Sequence, residues 1–518
     1  MFKFSSIKFF FEKTKDNLVI VCFILLSSVL RLVNLGYSDY IGDEHKAFLI
    51  PNSGQTVWNF LIEQRKGPMQ FFVSYVPRLF VGDFKNELAE RLPFSIISII
   101  CVLVFYLLIS KLTKNKIVTV VSTYLFMVNG FIVGFGRIAQ YQNLNIVFSL
   151  LSIYFYSDLL LNKSRLIRST LIGTLFWVLS LFSHWDAVFI APVVLWFFVT
   201  FFRDKQFEKK YKLRLFLYNL LLGLFLVLPF MIPYVKFHVF NKESIDYFER
   251  RIAVGVPNNS LYKMYIDLYN PFLTFWILSI LSFFSVFKFK KSGIFITWFI
   301  FCYLIFEILW RKPGTHIYNF LLPIFVLCGF GFDFILDFLR HRILKKTAVF
   351  IFILIAIFLY YQSYLLFVDH GKEYPWEREI FLSFQSVCKV SPSFCRGRNI
   401  DNKSIKTKQY HYDYKGQKLP LFGFPHSRNW DLINKYVNNL SSSEEGFSGY
   451  STNEDQVVSK WYMDVSYRSK GEFYFIGIKN PSNFVNDFNP PAESDKELIK
   501  TLYRENGSSY AKIFKVSF

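Results

Sequence analysis

Residues 87–116 have the sequence ELAERLPFSIISIICVLVFYLLISKLTKNK, in which an apolar run begins near Pro93 and ends at a basic cluster. A helix needs about 20 apolar residues to cross the hydrocarbon core of a bilayer, and residues 93–110 approach that length. Proline is common in the first turn of a helix, and the basic residues of 111–116 are typical of a cytoplasmic loop. The segment therefore predicts a membrane-spanning helix with its C-terminal end in the cytoplasm.

The composition of the whole chain also indicates a membrane protein. Of its 518 residues, 53% are hydrophobic and 19% are charged, whereas about 25% of the residues of a typical soluble protein are charged. The net charge of +21 comes from basic residues in loops between apolar runs, not from one basic face. Membrane topology accounts for this distribution, so nucleic acid is excluded as a partner.

The apolar runs predict an α-helical polytopic membrane protein with 11 spans. The spans are expected near residues 18–35, 93–110, 117–134, 144–161, 167–184, 186–202, 214–235, 271–287, 292–310, 317–339 and 347–368. Lysines before the first run place the N-terminus in the cytoplasm. Alternation then puts the short basic segments on the same side, namely 111–116, 163–168, 203–214, 288–291 and 340–346.

The apolar run at 68–82, PMQFFVSYVPRLFVG, is short and is interrupted by Pro77 and Arg78. Counting it as a span would invert every later loop, so we expect it to lie in or on the exoplasmic leaflet. The membrane domain would comprise residues 1–368, and residues 369–518 would form a soluble exoplasmic α+β domain. The predicted localisation is the cell membrane.

Within this second domain, aromatic and β-branched residues predict strands at 472–479 and 510–518. Capping residues and amphipathic patterns predict helices at 429–440, 453–463 and 493–505. Cys388 and Cys395 could form a disulfide on the exoplasmic side or remain free thiols. The domain contains no recognisable catalytic motif.

The first predicted exoplasmic loop, SDYIGDEHKAF, carries an acidic pair, Asp43 and Glu44. A carboxylate just above the membrane could take the proton from an acceptor hydroxyl while that hydroxyl attacks an anomeric carbon. Alternatively, Asp43 caps a short helix and Glu44 favours its positive end. With His45, the pair could also offer ligands to a divalent cation. Three neighbours in sequence form a poor ligand set, however, so no cofactor and no metal site are firmly implied.

Several cations lie at predicted exoplasmic ends of spans. Lys66 could hold and neutralise a lipid phosphate, or it could simply extend to the membrane interface. Arg137, near membrane depth, requires an anionic partner or acts as an interfacial anchor. Arg311 and Lys312 lie outside against the positive-inside rule, which a local anion such as a lipid phosphate would justify.

Polar residues at the same ends are candidate substrate contacts. Gln142 could hydrogen-bond a sugar. His184 and Asp186 lie between two apolar runs with almost no loop, so they either contact a sugar or lipid or close a structural hairpin. The full set of candidate substrate contacts is His45, Gln142, His184, Asp186 and His316.

The order of these motifs resembles the dolichyl-phosphate-mannose protein mannosyltransferase and aminoarabinose transferase superfamily, which has the GT-C fold. The acidic pair is similar to its Asp-Glu loop, and residues 66–72, KGPMQFF, are similar to its Lys-Pro-Pro-Leu-x-Tyr-Trp element. Residues 87–95, ELAERLPFS, resemble Glu-Phe-Ala-x-Arg-Leu-Pro-Ser and are the most specific match. Residues 136–139, GRIA, and 316–323, HIYNFLLP, are similar to later elements. The resemblance covers roughly residues 15–340.

The resemblance implies an inverting glycosyltransferase that takes a sugar from a polyprenyl-phosphate donor and gives it to an exoplasmic protein, lipid or glycan. It implies that Asp43 is the essential acid, with Glu44 beside it, and that Lys66 contacts the lipid phosphate. Two departures matter. Residues 139–142, AQYQ, lack the family's Ala-Arg-x-Asp, which puts a second acidic group in doubt, and Lys-Gly-Pro replaces Lys-Pro-Pro.

Two other classes of protein fit parts of the pattern. A transporter or flippase for a lipid-linked sugar would favour charged residues in mid-span and internal repeats. The predicted spans are nearly free of charge at their centres and show no repeat. A non-catalytic assembly protein would place its activity in the C-terminal domain, and the missing Ala-Arg-x-Asp acids leave room for that alternative.

Overall fold

The computed structural model describes residues 14–40, 42–161, 165–251, 271–309, 314–370, 422–423, 427–443, 449–454, 456–478, 495–503, 507 and 509–517. The helices of the N-terminal part are α1 (Thr14–Leu32), α2 (Val57–Glu63), α3 (Pro68–Val81), α4 (Glu87–Thr113), α5 (Lys116–Val128), α6 (Gly130–Phe135), α7 (Gln142–Tyr156), α8 (Asp158–Leu161), α9 (Leu166–Ser183), α10 (Ala191–Arg203), α11 (Lys209–Phe240), α12 (Lys242–Arg251), α13 (Pro271–Phe284), α14 (Phe289–Leu304), α15 (Tyr318–Phe338) and α16 (Arg342–Phe367). Arg311, Lys312, Cys388 and Cys395 lie outside the described residues.

The protein is a polytopic α-helical membrane protein with a small α+β region at its C-terminus. Among the described residues, 8 helical segments are long and apolar enough to cross a membrane. The predicted spans at 18–35 and 117–134 correspond to shorter apolar helices, Leu18–Leu32 and Lys116–Val128. The segment Trp276–Leu309 contains two predicted spans.

Contacts with α15 show that the chain reverses direction between α13 and α14. The contacting pairs are Leu278 with Cys328, Phe284 with Phe334, Phe295 with Phe330, and Phe306 with Phe320. The residue number of the contacting α15 side chain rises along α13, whereas it falls from α14 onward. The two helices are therefore antiparallel, with the turn at Ser285–Lys288.

The predicted loops gather at two ends of the helical bundle. At one end, Asp333 accepts a hydrogen bond from Asn115 (3.0 Å) and pairs with Lys288, so two predicted cytoplasmic segments meet there. At the other end, the loop that carries Asp43 meets the junction before α7, and the junctions before α10 and before α15 meet each other. This grouping is the one that the alternating topology requires.

Helix α3 differs from the long helices. Its 14 residues extend for only about 21 Å, less than the thickness of the hydrocarbon core. Gln70 and Ser74 lie on its buried face, while Phe72, Leu79 and Phe80 are exposed at 55%, 67% and 84%. This amphipathic helix is too short to span, as its sequence indicates.

Helix α15 lies at the centre of the bundle, and glycine lets its neighbours approach. A Cβ at Gly331 would lie 1.7 Å from the carbonyl oxygen of Leu281, and one at Gly329 would lie 2.7 Å from that of Val118. Small residues at helix contacts allow such close packing in membranes. Glycine at these positions therefore sets the distances from α15 to α13 and α5.

We expect Gly331→Ala to lower the melting temperature of the purified protein sharply. Its Cβ overlaps backbone, and overpacking of this kind costs about 1–3 kcal/mol or more. Gly293→Ala is the matched control, because its Cβ would meet no atom closer than 3.8 Å and alanine favours a helix. Thermal unfolding in detergent measures both variants. Equal melting temperatures would contradict the packing described here.

The C-terminal part contains α17 (Trp430–Ser443), α18 (Gln456–Tyr462) and four strands: β1 (Tyr450–Thr452), β2 (Glu472–Ile478), β3 (Asp495–Tyr503) and β4 (Ser509–Ser517). The strand order is β1-β2-β4-β3, in which β1 is parallel to β2 and the other pairs are antiparallel. The strands predicted at 472–479 and 510–518 are confirmed. The helix predicted at 493–505 is wrong, because residues 495–503 pair with β4 as an edge strand.

The C-terminal part packs on the first loop of the membrane domain. Tyr462 Oη accepts a hydrogen bond from the Tyr40 amide (2.7 Å) and donates one to Glu87 (2.7 Å). The Arg428 amide donates to the carboxylate of Asp39, and the Trp461 ring lies 5.9 Å from that of Phe48. Burial raises the pKa of Asp39 to about 6, with Arg428 partly offsetting that effect. These contacts hold both ends of the loop that carries Asp43.

Candidate active site

The loop between α1 and α2 turns through one 3-10 helix, Gly42–Ala47, which sends its two acids in opposite directions. Glu44 is fully buried, and its two oxygens accept hydrogen bonds from Arg91 at 2.8 and 2.7 Å. Arg91 also donates to backbone carbonyls of the same loop, and Glu44 accepts from the Ala139 amide (2.9 Å). Glu44 thus fastens the loop to α4 and to the junction before α7.

Asp43 points the other way and keeps 47% of its side chain exposed. Its carboxylate pairs with Lys46, and one oxygen lies 3.9 Å from the ammonium of Lys66. Burial opposes its ionisation, but Lys66, Lys46 and His45 together hold the pKa of Asp43 below its ordinary value. Asp43 is therefore an ionised carboxylate at neutral pH whose side chain is about half exposed.

Lys66 lies just before α3, with its ammonium 4.4 Å from the centre of the Tyr141 ring. The side chain is only 21% exposed. Burial lowers the pKa of Lys66 to about 8, although the nearby Asp43 carboxylate acts in the opposite sense. A partly desolvated ammonium beside an aromatic ring is a strong binding point for an anion.

Glycine at position 67 brings Lys66 to this place. A Cβ on Gly67 would lie 2.1 Å from the carbonyl oxygen of Phe182, at the end of α9. The first proline of the Lys-Pro-Pro element, which Gly67 replaces, would have the same conflict here. The Lys-Gly-Pro sequence therefore fits a loop that lies directly against α9.

Behind Lys66, three of the candidate substrate contacts, His184, Asp186 and His316, meet from distant parts of the chain. The Tyr141 ring stacks on His184 with ring centres 4.0 Å apart. His184 Nδ1 lies 3.0 Å from Asp186 Oδ1, and His316 Nδ1 lies 2.8 Å from Asp186 Oδ2. All three side chains are buried. A continuous row of polar groups thus runs from Asp43 through Lys66 and Tyr141 to this cluster.

The other predicted residues have different surroundings. Arg137 is buried and donates to backbone carbonyls of Leu30 (3.0 Å), Val33 (2.9 Å) and Gly423 (2.8 Å). It joins α1 to the C-terminal segment and faces no anion among the described residues. Gln142 is buried and donates to Gln140 (3.0 Å), and His45 is buried beside the acidic pair.

Sequence reasoning missed three residues of the site. Tyr141 connects Lys66 with His184, while Tyr318 and Asn319 donate to Asp186 at 2.7 and 3.2 Å. All three occur within segments singled out for other residues, IAQYQN and HIYNFLLP. The dense polar content of these segments at a membrane boundary was the available signal.

Among known proteins, the similarity of this chain lies in its structure and not in its sequence. No family model matches the chain, and no curated protein matches it. The crystal structure of ArnT from Cupriavidus metallidurans in the apo state matches with a TM-score of 0.53 and 12% identity, over 96% of this chain and 97% of that chain. ArnT from the same organism bound to undecaprenyl phosphate gives 0.54 and 10% over the same shares. The chain has the fold of ArnT.

The likeness to ArnT confirms the predicted GT-C fold over nearly the full length of both chains. The S. cerevisiae protein O-mannosyltransferase Pmt1-Pmt2 complex bound to the sugar donor matches less completely. Its TM-score is 0.36 at 15% identity, over 45% of this chain and 34% of that chain. This partial match carries no argument about the fold, whereas the two ArnT structures do.

Proposed function

We propose that this protein is a membrane glycosyltransferase that transfers a sugar from a polyprenyl-phosphate donor to an acceptor on the exoplasmic side. The observation that carries the proposal is the pair formed by Asp43, an accessible carboxylate, and Lys66, a partly buried cation 3.9 Å away. One group suits proton removal and the other suits a phosphate. The ArnT fold supports the proposal, since one ArnT structure is bound to undecaprenyl phosphate.

In the proposed reaction, Asp43 takes the proton of an acceptor hydroxyl as its oxygen attacks the anomeric carbon of the donor. The bond between that carbon and the phosphate oxygen breaks, and the electron pair leaves with the polyprenyl phosphate. Lys66 stabilises the negative charge of the leaving phosphate. Attack from the face opposite the phosphate inverts the anomeric configuration. Both the proton and the leaving group are thereby accounted for.

The exposed apolar side chains of α3 suit the membrane surface next to this pair. Because Lys66 directly precedes α3, its ammonium would lie near the height of a lipid phosphate group. The polyprenyl chain would remain in the bilayer while the sugar reaches Asp43. In this proposal the site and the C-terminal domain (369–518) face the exoplasm, and residues 1–368 form the catalytic membrane domain.

The test is an assay of the purified protein with a panel of labelled polyprenyl-phosphate sugars and a membrane extract as the source of acceptor. We expect one donor to release polyprenyl phosphate as the label moves to acceptor. Movement of intact donor across a vesicle membrane without cleavage would instead identify a flippase. Cysteine labelling at position 43 or 66 from the cytoplasmic side only would overturn the proposed orientation.

We expect polyprenyl phosphate to bind more weakly above about pH 8. Lys66 is a cation below its pKa of about 8 and becomes neutral as the pH rises through that value. Beyond it, affinity should fall by up to about tenfold per pH unit. The dissociation constant between pH 6 and 10 measures this effect. Lys66→Arg should remain charged and give a flat profile, so a decline in both proteins would exclude Lys66 as the cause.

A further inference from the structure

The side chains of His184, Asp186 and His316 form one cluster that the transfer reaction proposed above does not use. The 3-10 turns Trp185–Ile190 and Gly314–Ile317 bring the three side chains together, although His316 lies 130 residues after Asp186. One ligand atom from each residue lies within 4.8 Å of the others. Each side chain is at least nine-tenths buried. The cluster is thus compact, dry and assembled by the tertiary fold.

The two oxygens of Asp186 have different surroundings. Oδ2 accepts hydrogen bonds from Tyr318 Oη (2.7 Å) and Asn319 Nδ2 (3.2 Å) and lies 2.8 Å from His316 Nδ1. Oδ1 is buried, and the atom that faces it is His184 Nδ1, at 3.0 Å. A buried carboxylate oxygen has lost its water, so it requires a proton donor or a cation beside it.

His184 Nδ1 is shared between two groups of Asp186. His184 Nδ1 lies 3.0 Å from Asp186 Oδ1, but the same nitrogen accepts a hydrogen bond from the Asp186 amide at 3.2 Å. A ring nitrogen that accepts a hydrogen bond presents a lone pair. The ring nitrogen thus lies within reach of both the amide and the carboxylate of Asp186, and a metal ion bound to the nitrogen and the carboxylate would take the place of a proton between them.

We propose that His184, Asp186 and His316 bind a divalent transition-metal ion. The ligands would be one ring nitrogen of each histidine and one carboxylate oxygen of the aspartate. Two imidazoles and one carboxylate suit Zn²⁺, Co²⁺ or Ni²⁺ better than Mg²⁺ or Ca²⁺, which prefer oxygen alone. Three protein ligands leave a coordination position for water or an anionic oxygen.

The neighbours of the cluster support a metal ligand rather than an isolated acid. Tyr318 and Asn319 donate to Oδ2 and fix the orientation of the carboxylate, as supporting hydrogen bonds do around metal sites. Asn145 donates to the carbonyl of His184 (3.1 Å), which fixes the turn that carries the first histidine. An ion here would join the start of α15 to the corner between α9 and α10.

The inference is independent of the proposed transfer reaction, because neither Asp43 nor Lys66 is a ligand. The test therefore measures metal, not activity. Purified full-length protein is stripped with a chelator, incubated with Zn²⁺ and desalted, and its metal content is measured by mass spectrometry. We expect about one zinc ion per chain. Co²⁺ should replace it and give the visible absorption of a tetrahedral site.

His184→Phe and His316→Phe remove the nitrogens and retain rings that can stack. Asp186→Asn removes the charge and retains an oxygen that Tyr318 can reach. The control is His341→Ala, an exposed histidine at the opposite end of the bundle. We expect zinc to fall to background in the three cluster variants and to persist in the control.

Two results would overturn the inference. One is less than half an equivalent of zinc in the reconstituted wild-type protein, together with no Co²⁺ absorption. The other is undiminished zinc in the cluster variants, which would place the ion elsewhere. Should a histidine variant fail to fold, Asp186→Asn and the Co²⁺ spectrum of the wild-type protein still decide between the outcomes.

Discussion

Replacing Asp43 by asparagine should reduce glycosyl transfer by about 10²–10⁴-fold, the usual contribution of a general base. Asparagine has the same shape and can still accept a hydrogen bond from Lys46, so the loop should keep its conformation. It cannot take a proton from an acceptor hydroxyl. The loss should therefore appear in turnover, while the affinity for polyprenyl phosphate changes little.

The matched control for this variant is Asp83→Asn. Asp83 is an exposed acid before α4, where it accepts a hydrogen bond from the Lys85 amide (2.9 Å), and it contributes nothing to the row of polar groups behind Asp43. We expect this control to retain normal turnover. Both variants should elute as the wild-type protein does in size-exclusion chromatography. Full turnover by Asp43→Asn would remove Asp43 from the mechanism and leave the proposed function without its base.

Much of the membrane fold could be predicted because hydropathy and basic loops report directly on the bilayer. The apolar helices, the short α3 and the strands β2 and β4 follow from local patterns. The strand β3 does not, since residues 495–503 form an edge whose pairing with β4 decides their conformation. An edge strand with many exposed side chains shows little alternation of apolar and polar residues, so its pairing with a neighbouring strand decides its conformation.

The candidate site, too, could be predicted only where neighbouring residues decide it, and not where residues distant in sequence come into contact. The sequence indicates that Asp43 and Glu44 diverge, but it cannot tell which of them meets Arg91, 47 residues away. It marks His184, Asp186 and His316 as polar residues at a membrane boundary. Their meeting depends on how α15 packs against the corner between α9 and α10, which no local pattern specifies. Arg137 likewise looks like an anion site in sequence, yet it binds backbone carbonyls.

The second large effect concerns the pair of Glu44 and Arg91, both almost fully buried. We expect Arg91→Gln to lower the free energy of unfolding by about 3–5 kcal/mol, since removal of one partner leaves an uncompensated buried charge. Backbone carbonyls of Leu35, Ser38 and Asp39 would also lose their donor. Thermal unfolding and the yield of monodisperse protein measure this loss.

A double-mutant cycle separates the ion pair from the rest of the contacts. Glu44→Gln with Arg91→Gln removes both charges, so the double variant should be less destabilised than the sum of the two single variants. Asp337→Asn is the control. The side chain of Asp337, which pairs with Lys288, is 66% exposed, and exposed ion pairs contribute only about 0–1 kcal/mol to stability. If Arg91→Gln were no worse than this control, the buried pair would not be what fastens the loop. The position of Asp43 would then depend on the C-terminal domain instead, through Tyr462 and Arg428.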